Sequence, residues 1–462
     1  MRLWPELGAT FNKIQTMMPQ RCPAILIAAP ASGQGKTTVA SALARLHTRQ
    51  GRRVRVFKCG PDFLDPHWLT LASGAPVHQL DLWMTGELDC AQRLHAAAID
   101  ADLIIVEGVM GLFDGQPSAA DLAQRFGLPV LTVIDASAMA GTFGALAWGL
   151  AHYREGLRFA GVLANRVASP GHADMLKEGL RDASQWLGGL MRSDAFTLPE
   201  RHLGLVVASE LSDAMVRLDA AADALAQTPL GQMHLADLQA WAVDFAAPEA
   251  PAATFPAGAL QGQTIAVARD AAFCFLYAAN LDCLQAMGAQ LVYFSPLADS
   301  AIPACDALWL PGGYPELHAD ALVANTRMKA AIAEHVQAGK PVWAECGGMM
   351  ALFEQLTTVD GAHYPMWGVL PGSVTLQKRL AALGPQQLEV AGGALRGHAF
   401  HYSTSQTTLS PVARTLAAPG RKLRGEGEAL YVQDAVKASY FHAWFSSNPQ
   451  AAAGLFLKAA HG

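Results

Sequence analysis

Six apolar residues in succession, Ala24–Ala29, lead into Pro30-Ala31-Ser32-Gly33-Gln34-Gly35-Lys36-Thr37-Thr38 and then into a helical pattern that reaches Arg49. A continuously apolar strand needs cover on both faces, and one that passes to a helix through a glycine-rich loop opens a parallel sheet. Gly33 and Gly35 let the backbone curl until its N–H groups face phosphate oxygens. Lys36 reaches the outer phosphates, the Thr37 hydroxyl can join a Mg²⁺ shell, and Thr38 follows in the first helical turn. Pro30 stands where the usual motif has its first Gly. The stretch predicts a phosphate-binding site with a place for Mg²⁺.

The residues that follow repeat the strand and helix alternation. Val54–Lys58 reads as a second strand, with Lys58 at its end among the nucleotide-binding candidates, followed by Cys59-Gly60-Pro61-Asp62-Phe63-Leu64-Asp65-Pro66. Asp62 or Asp65 is placed to help hold Mg²⁺, Asp62 being preferred; Asx turns and helix caps are the competing reading of such Asp-Pro clusters. Leu103–Val106 forms a third strand ending in Glu107, where phosphoryl-transfer folds place a metal-site carboxylate. The loop Val109–Gly115 shares that edge. Further strands at 129–134, 159–165 and 186–190 alternate with helices at 141–152 and 171–180, the signature of a parallel sheet with helices on both faces. Leu198-Pro199-Glu200-Arg201-His202-Leu203-Gly204-Leu205 then places three ionisable groups in a row, with a solvated turn as the plain reading.

At 462 residues the chain exceeds one ordinary domain. Residues 246–263 carry Ala, Pro, Thr and Gly with one charge, a composition that cannot pack as an element and reads as a linker between domains at 22–245 and 264–462. The net charge of −6 provides no basic surface for nucleic acid. No apolar run approaches the roughly 20 residues of a membrane helix, so no membrane partner is expected. Seven scattered Cys show neither metal spacing nor a disulfide framework, which points to the cytoplasm. Met1–Gln20 lacks an apolar signal region and reads as a frayed extension, with Met17 or Met18 as an alternative start.

Beyond the linker, Thr264–Ala268, Gln290–Phe294 and Ala307–Leu310 read as strands and 277–287 as a helix. Pro341-Val342-Trp343-Ala344-Glu345-Cys346-Gly347-Gly348 then makes a strand, a tight turn and a helix start. Cys346 occupies the nucleophile position of an elbow whose small neighbours Ala344 and Gly348 avoid clashes in the turn; an inert buried thiol is the competing reading. Paired glycines in Pro311-Gly312-Gly313-Tyr314 bring N–H groups to the same edge, so Gly313 and Gly347 are candidate oxyanion donors. An activated thiol needs a base, and His398, His401 and His442 are all candidates, His442 being the best placed after the strand-like 437–441.

Taken in order, the phosphate loop, Val106-Glu107-Gly108-Val109-Met110-Gly111-Leu112-Phe113-Asp114-Gly115, Leu198–Leu205, Leu310–His318 and Ala344–Gly348 make the chain resemble the cobyrinic or hydrogenobyrinic acid a,c-diamide synthases, from about Ala24 to Phe456. The resemblance implies an α/β protein of two domains. One is a phosphate-loop parallel sheet similar to dethiobiotin synthetase, and the other a class I glutamine amidotransferase of flavodoxin-like type. It also implies ATP-dependent, glutamine-using amidation of an anionic corrinoid, with Cys346 as nucleophile and His442 as its base; a homodimer is entertained as the assembly. Two departures stand out. Position 444, two after the base, is Trp where many class I glutaminases carry Glu, so the pair reads as a Cys–His dyad with Glu316 or another acid as its substitute orienter. Ala399 stands where the family commonly has Glu. Cobyric acid synthase, nickel-sirohydrochlorin diamide synthase and a partner-binding switch ATPase are the alternatives, the last disfavoured by Ala31 where its signature Lys would be.

Overall fold

The computed structural model describes residues 18–201, 204–205, 211–250, 255–256, 258–423 and 425–458. The chain divides at Ala252/Ala253 into two compact units.

In the first unit seven strands, β1 (Gln20–Ala28), β2 (Val54–Cys59), β3 (His78–Leu80), β4 (Leu103–Glu107), β5 (Val130–Asp135), β6 (Phe159–Val167) and β7 (Trp186–Met191), lie in the order β3-β2-β4-β1-β5-β6-β7. Every neighbouring pair among them is parallel. The apolar run of β1 is explained by its two faces. Ile25 and Ile27 pack with Val39 and Leu43 of the helix Lys36–Arg49 and with Leu218 of Ala214–Ala226. Leu26 and Ala28 pack the other way, with Leu94, Leu122 and Phe143 from the helices Glu87–Asp100, Ala119–Phe126 and Thr142–His152. Each large side chain so buried contributes about 1.5–3 kcal/mol.

Two expectations need correction. Gln20 is not part of a frayed extension: Gln20–Pro23 pairs antiparallel with Ala242–Phe245, tied at its end by an Arg21–Asp244 ion pair of 3.0 Å. The stretch expected to be a structureless linker contains a turn that docks on the second unit, where Leu260 is fully buried and its N–H meets the Met287 carbonyl at 2.9 Å. Of the Leu198–Leu205 motif, Glu200–Arg201 and Gly204–Leu205 form a small antiparallel pair; His202 and Leu203 lie outside the described residues, as do residues 1–17.

The second unit is built on a seven-stranded sheet in the order Gln290–Phe294, Thr264–Ala268, Ala307–Leu310, Val342–Glu345, Val436–Ser439, Ala429–Gln433, Ala413–Arg414. Its first five strands are parallel and its last two antiparallel. Two four-stranded sheets flank it, one of which pairs Gly393–His401 with His442–Ala443. Parallel strands present their carboxyl ends on one edge, where open α/β sheets bind ligands. In the second unit that edge carries Gly312, Gly313, Glu345 and Cys346.

Candidate active sites

In the first unit a cleft of about 850 Å³ opens at the carboxyl ends of the strands. It is lined by Gly33, Gly35, Lys36, Thr37, Thr38, Lys58, Asp62 and Glu107, so the structure brings together every residue nominated there from sequence. Gly35 caps the helix in a left-handed conformation (φ 92°), and a Cβ on it would stand 2.0 Å from Asn165 Nδ2, so glycine is required on two counts. Lys36 Nζ donates to the carbonyls of Ala31 (3.1 Å) and Met110 (2.7 Å), which ties the phosphate loop to the Val109–Gly115 loop.

Glu107 is fully buried. Its Oε1 accepts from the Thr37 hydroxyl at 2.7 Å and from Lys58 Nζ at 3.1 Å, while its Oε2 has no hydrogen-bond partner. Burial pushes Glu107 up to about 8 despite the attraction of Lys58. Burial alone would lower Lys58, but Asp65, 2.6 Å away, and Glu107 hold it well above its ordinary value. A buried carboxylate oxygen left unpaired beside a threonine hydroxyl fits a divalent cation, which uses carboxylate, hydroxyl and phosphate oxygens rather than a cage of side chains. No cluster of three or more His, Cys, Asp or Glu fit for a metal occurs among the described residues.

The two aspartates divide differently from the sequence preference. Asp62 Oδ1 accepts the N–H groups of Leu64 (2.8 Å) and Asp65 (3.1 Å), the turn-forming role weighed against metal binding. Asp65 is the one that joins Lys58. Sequence reasoning also passed over Asp135, Asn165, Arg166 and the 191–197 segment, which line the cleft together with Leu198 and Pro199 of the motif singled out above. Their signal was positional: they end or follow β5, β6 and β7, the strands beyond β1.

In the second unit Cys346 terminates its strand with φ 43° and ψ −105°, the strained geometry of a nucleophile elbow in a residue other than glycine. It is buried, and burial raises its thiol well above the ordinary value, with Glu316 adding to the rise and the Gly347 N–H opposing it. That rise favours the thiol over the thiolate. Gly347 packs on the Gly313 backbone and on Pro315: a Cβ on Gly347 would lie 2.8 Å from Gly313 N. The two nominated oxyanion donors are therefore adjacent.

His442 borders the same double-glycine turn. A Cβ on Gly312 would fall 2.4 Å from His442 Cε1. Burial, with His398 and His401 adding to it, lowers the imidazole well below its usual value. The rival histidines have other engagements. His398 stacks on His442 at 5.0 Å between ring centroids and meets Tyr277 Oη at 3.1 Å; His401 pairs with Glu428 at 3.1 Å and stacks on Tyr440. The acid next to His442 is Glu345, whose Oε2 lies 4.0 Å from Nδ1. Glu316, the substitute named from sequence, adds to the rise of the Cys346 thiol. All seven cysteines are free and buried, and no described helix is long and apolar enough to cross a membrane.

A phosphate-loop cleft on one unit and a cysteine elbow on the other define a nucleotide-binding glutamine amidotransferase. Family comparison agrees: residues 25–206 match the CobQ/CobB/MinD/ParA nucleotide binding domain and residues 264–450 the CobB/CobQ-like glutamine amidotransferase domain. The hydrogenobyrinate a,c-diamide synthase of Pseudomonas aeruginosa is 57% identical, with 96% of this chain and 99% of that protein covered. That of Stutzerimonas stutzeri is 56% identical, with 95% and 99% covered. The cobyrinate a,c-diamide synthase of Herminiimonas arsenicoxydans is 50% identical, with 94% and 96% covered. The chain belongs to the cobyrinate/hydrogenobyrinate a,c-diamide synthase family.

Proposed function

We propose that the protein amidates the a- and c-acetate carboxylates of hydrogenobyrinate or cobyrinate, using ATP and glutamine. The observation that carries this reading is the near-complete alignment at 57% identity to a hydrogenobyrinate a,c-diamide synthase, on a chain that keeps both the phosphate-loop cleft and the cysteine elbow.

A carboxylate resists attack by ammonia because it is charged and has no leaving group. In the first unit Lys36, Thr37 and the loop N–H groups hold ATP so that the substrate carboxylate takes its γ-phosphoryl group. Thr37 and Glu107 would hold Mg²⁺, which when bound offsets charge on the β and γ phosphates. Ammonia then displaces phosphate from the acyl phosphate and leaves an amide. In the second unit His442 takes the Cys346 proton as sulfur attacks the glutamine side-chain carbonyl. The oxyanion rests on the N–H groups of Gly313 and Gly347. His442 returns the proton to the departing nitrogen, ammonia leaves, and water cleaves the thioester to glutamate.

The direct test supplies each candidate macrocycle with ATP, Mg²⁺ and glutamine and follows the products by mass spectrometry. A diamide from hydrogenobyrinate or cobyrinate is expected. Further amidation, or turnover of a nickel macrocycle alone, would refute the assignment. A second prediction concerns the glycine under His442. Gly312→Ala is expected to displace the imidazole and to lower glutamine hydrolysis roughly 10²-fold, the scale of an ångström misplacement. Ammonium-supported amidation should persist, and unchanged hydrolysis would show that the ring is not needed where Gly312 lets it sit.

A further inference from the structure

We propose that Glu345, the residue immediately before the nucleophile, is the carboxylate that positions His442 for the glutaminase step. The inference rests on the reading of Cys346 and His442 as nucleophile and base. Trp444, at the place where many class I glutaminases carry the orienting Glu, is fully buried.

Glu345 reaches the base from a different element. Its strand pairs with Val436–Ser439 so that Glu345 stands opposite Ser439, and Cys346 N–H donates to the Ser439 carbonyl at 2.8 Å. The segment that carries His442 leaves from that point, which brings it across the end of the strand that carries the nucleophile. Glu345 Oε1 is fixed by two donors, the Trp343 indole N–H at 2.7 Å and the Ala443 N–H at 3.3 Å. The second bond grips the backbone one residue after His442. The Trp309 indole also acts on this carboxyl group, whose Oε2 lies 4.0 Å from His442 Nδ1, and both side chains are almost wholly buried.

The ring is confined elsewhere by Gly312 and by the stacked His398. A 4.0 Å gap is longer than a hydrogen bond, and catalytic hydrogen bonds commonly shorten when substrate enters. Closure would place Nδ1–H on Oε2, leave Nε2 as the proton acceptor, and offset the charge of an imidazolium that burial otherwise disfavours. Burial pushes Glu345 up to about 8 against the opposing donors Trp343, Ala443 and Trp309. Among the described residues, the charged and titratable groups around the pair are Cys346 beside Glu345, with Glu316 and Glu428 acting on that thiol, and His398 with His401 on the side of His442, the Tyr277 hydroxyl meeting His398.

Glu345→Gln keeps the shape and a carbonyl acceptor for Trp343 and Ala443. It is expected to lower glutamine-dependent kcat roughly 10²-fold, in the range of lost acid–base catalysis, with KM for glutamine and ammonium-supported amidation unchanged. The acidic limb of kcat/KM for glutamine should move to lower pH. A carboxylate keeps the imidazole protonated to higher pH, and a titrating Glu345 would also hold that limb high; the variant loses both. Wild-type kcat and pH profile in Glu345→Gln, or a parallel loss of glutamine- and ammonium-supported activity with a lowered Tm, would overturn the proposal. Should the variant not fold, ¹⁵N-histidine NMR of the unaltered protein, above the pH at which Glu345 ionises, decides the matter. The Nδ1–H tautomer of His442 is expected, and the Nε2–H tautomer would overturn it. Absence of glutamine hydrolysis in the unaltered protein would instead overturn the reading beneath.

Discussion

Cys346→Ala is expected to abolish glutamine-dependent amidation, by at least about 10⁴-fold, while amidation supported by ammonium continues at the wild-type rate. The thioester forms through sulfur, and no neighbouring group can replace it. The substitution removes one atom from a buried site and keeps the Cβ that already tolerates φ 43°, so the backbone strain at the elbow is unchanged. Ammonium enters the reaction after the step the thiol performs, so the first unit keeps its full task. Assays of one folded preparation with glutamine and with ammonium separate the two. Loss of both activities would refute the division of labour between the units.

Local signals in the sequence were strong wherever one element sufficed. The strands Thr264–Ala268, Gln290–Phe294 and Ala307–Leu310 have the bounds read from their apolar runs, and the phosphate loop begins its helix at Lys36 as its motif requires. What sequence could not reveal depends on which strands become neighbours. Arg21 and Asp244 are 223 residues apart, so no window joins Gln20–Pro23 to its partner strand. Asp62 and Asp65 look alike in a turn, and only the direction of each side chain sends one to backbone N–H groups and the other to Lys58. Glu345 was hidden by habit of spacing. A search for an orienting acid counts residues from His442 and meets Trp444, whereas the strand order brings a carboxylate in from nearly a hundred positions upstream.

Glu107→Gln is expected to lower ATP-dependent amidation roughly 10²- to 10³-fold with either nitrogen source, equivalent to about 2.7–4 kcal/mol of barrier, while glutamine hydrolysis at Cys346 persists. The amide keeps an acceptor for Thr37 and Lys58, and Asp65 still neutralises Lys58, so the fold is retained. What is lost is the negative charge of the oxygen that has no protein partner. With Glu107 pushed up to about 8 by burial, protons and Mg²⁺ compete for the same carboxylate. The wild type should accordingly need more Mg²⁺ for half-maximal amidation as pH falls below that value, because the protonated form offers no charge to the cation. In Glu107→Gln this component of the pH dependence should vanish, leaving a uniformly high Mg²⁺ requirement. Titrations of initial rate against Mg²⁺ at several pH values test both points. A variant with wild-type amidation and an unaltered Mg²⁺ response would remove Glu107 from the mechanism and leave Thr37 without its proposed partner at the metal.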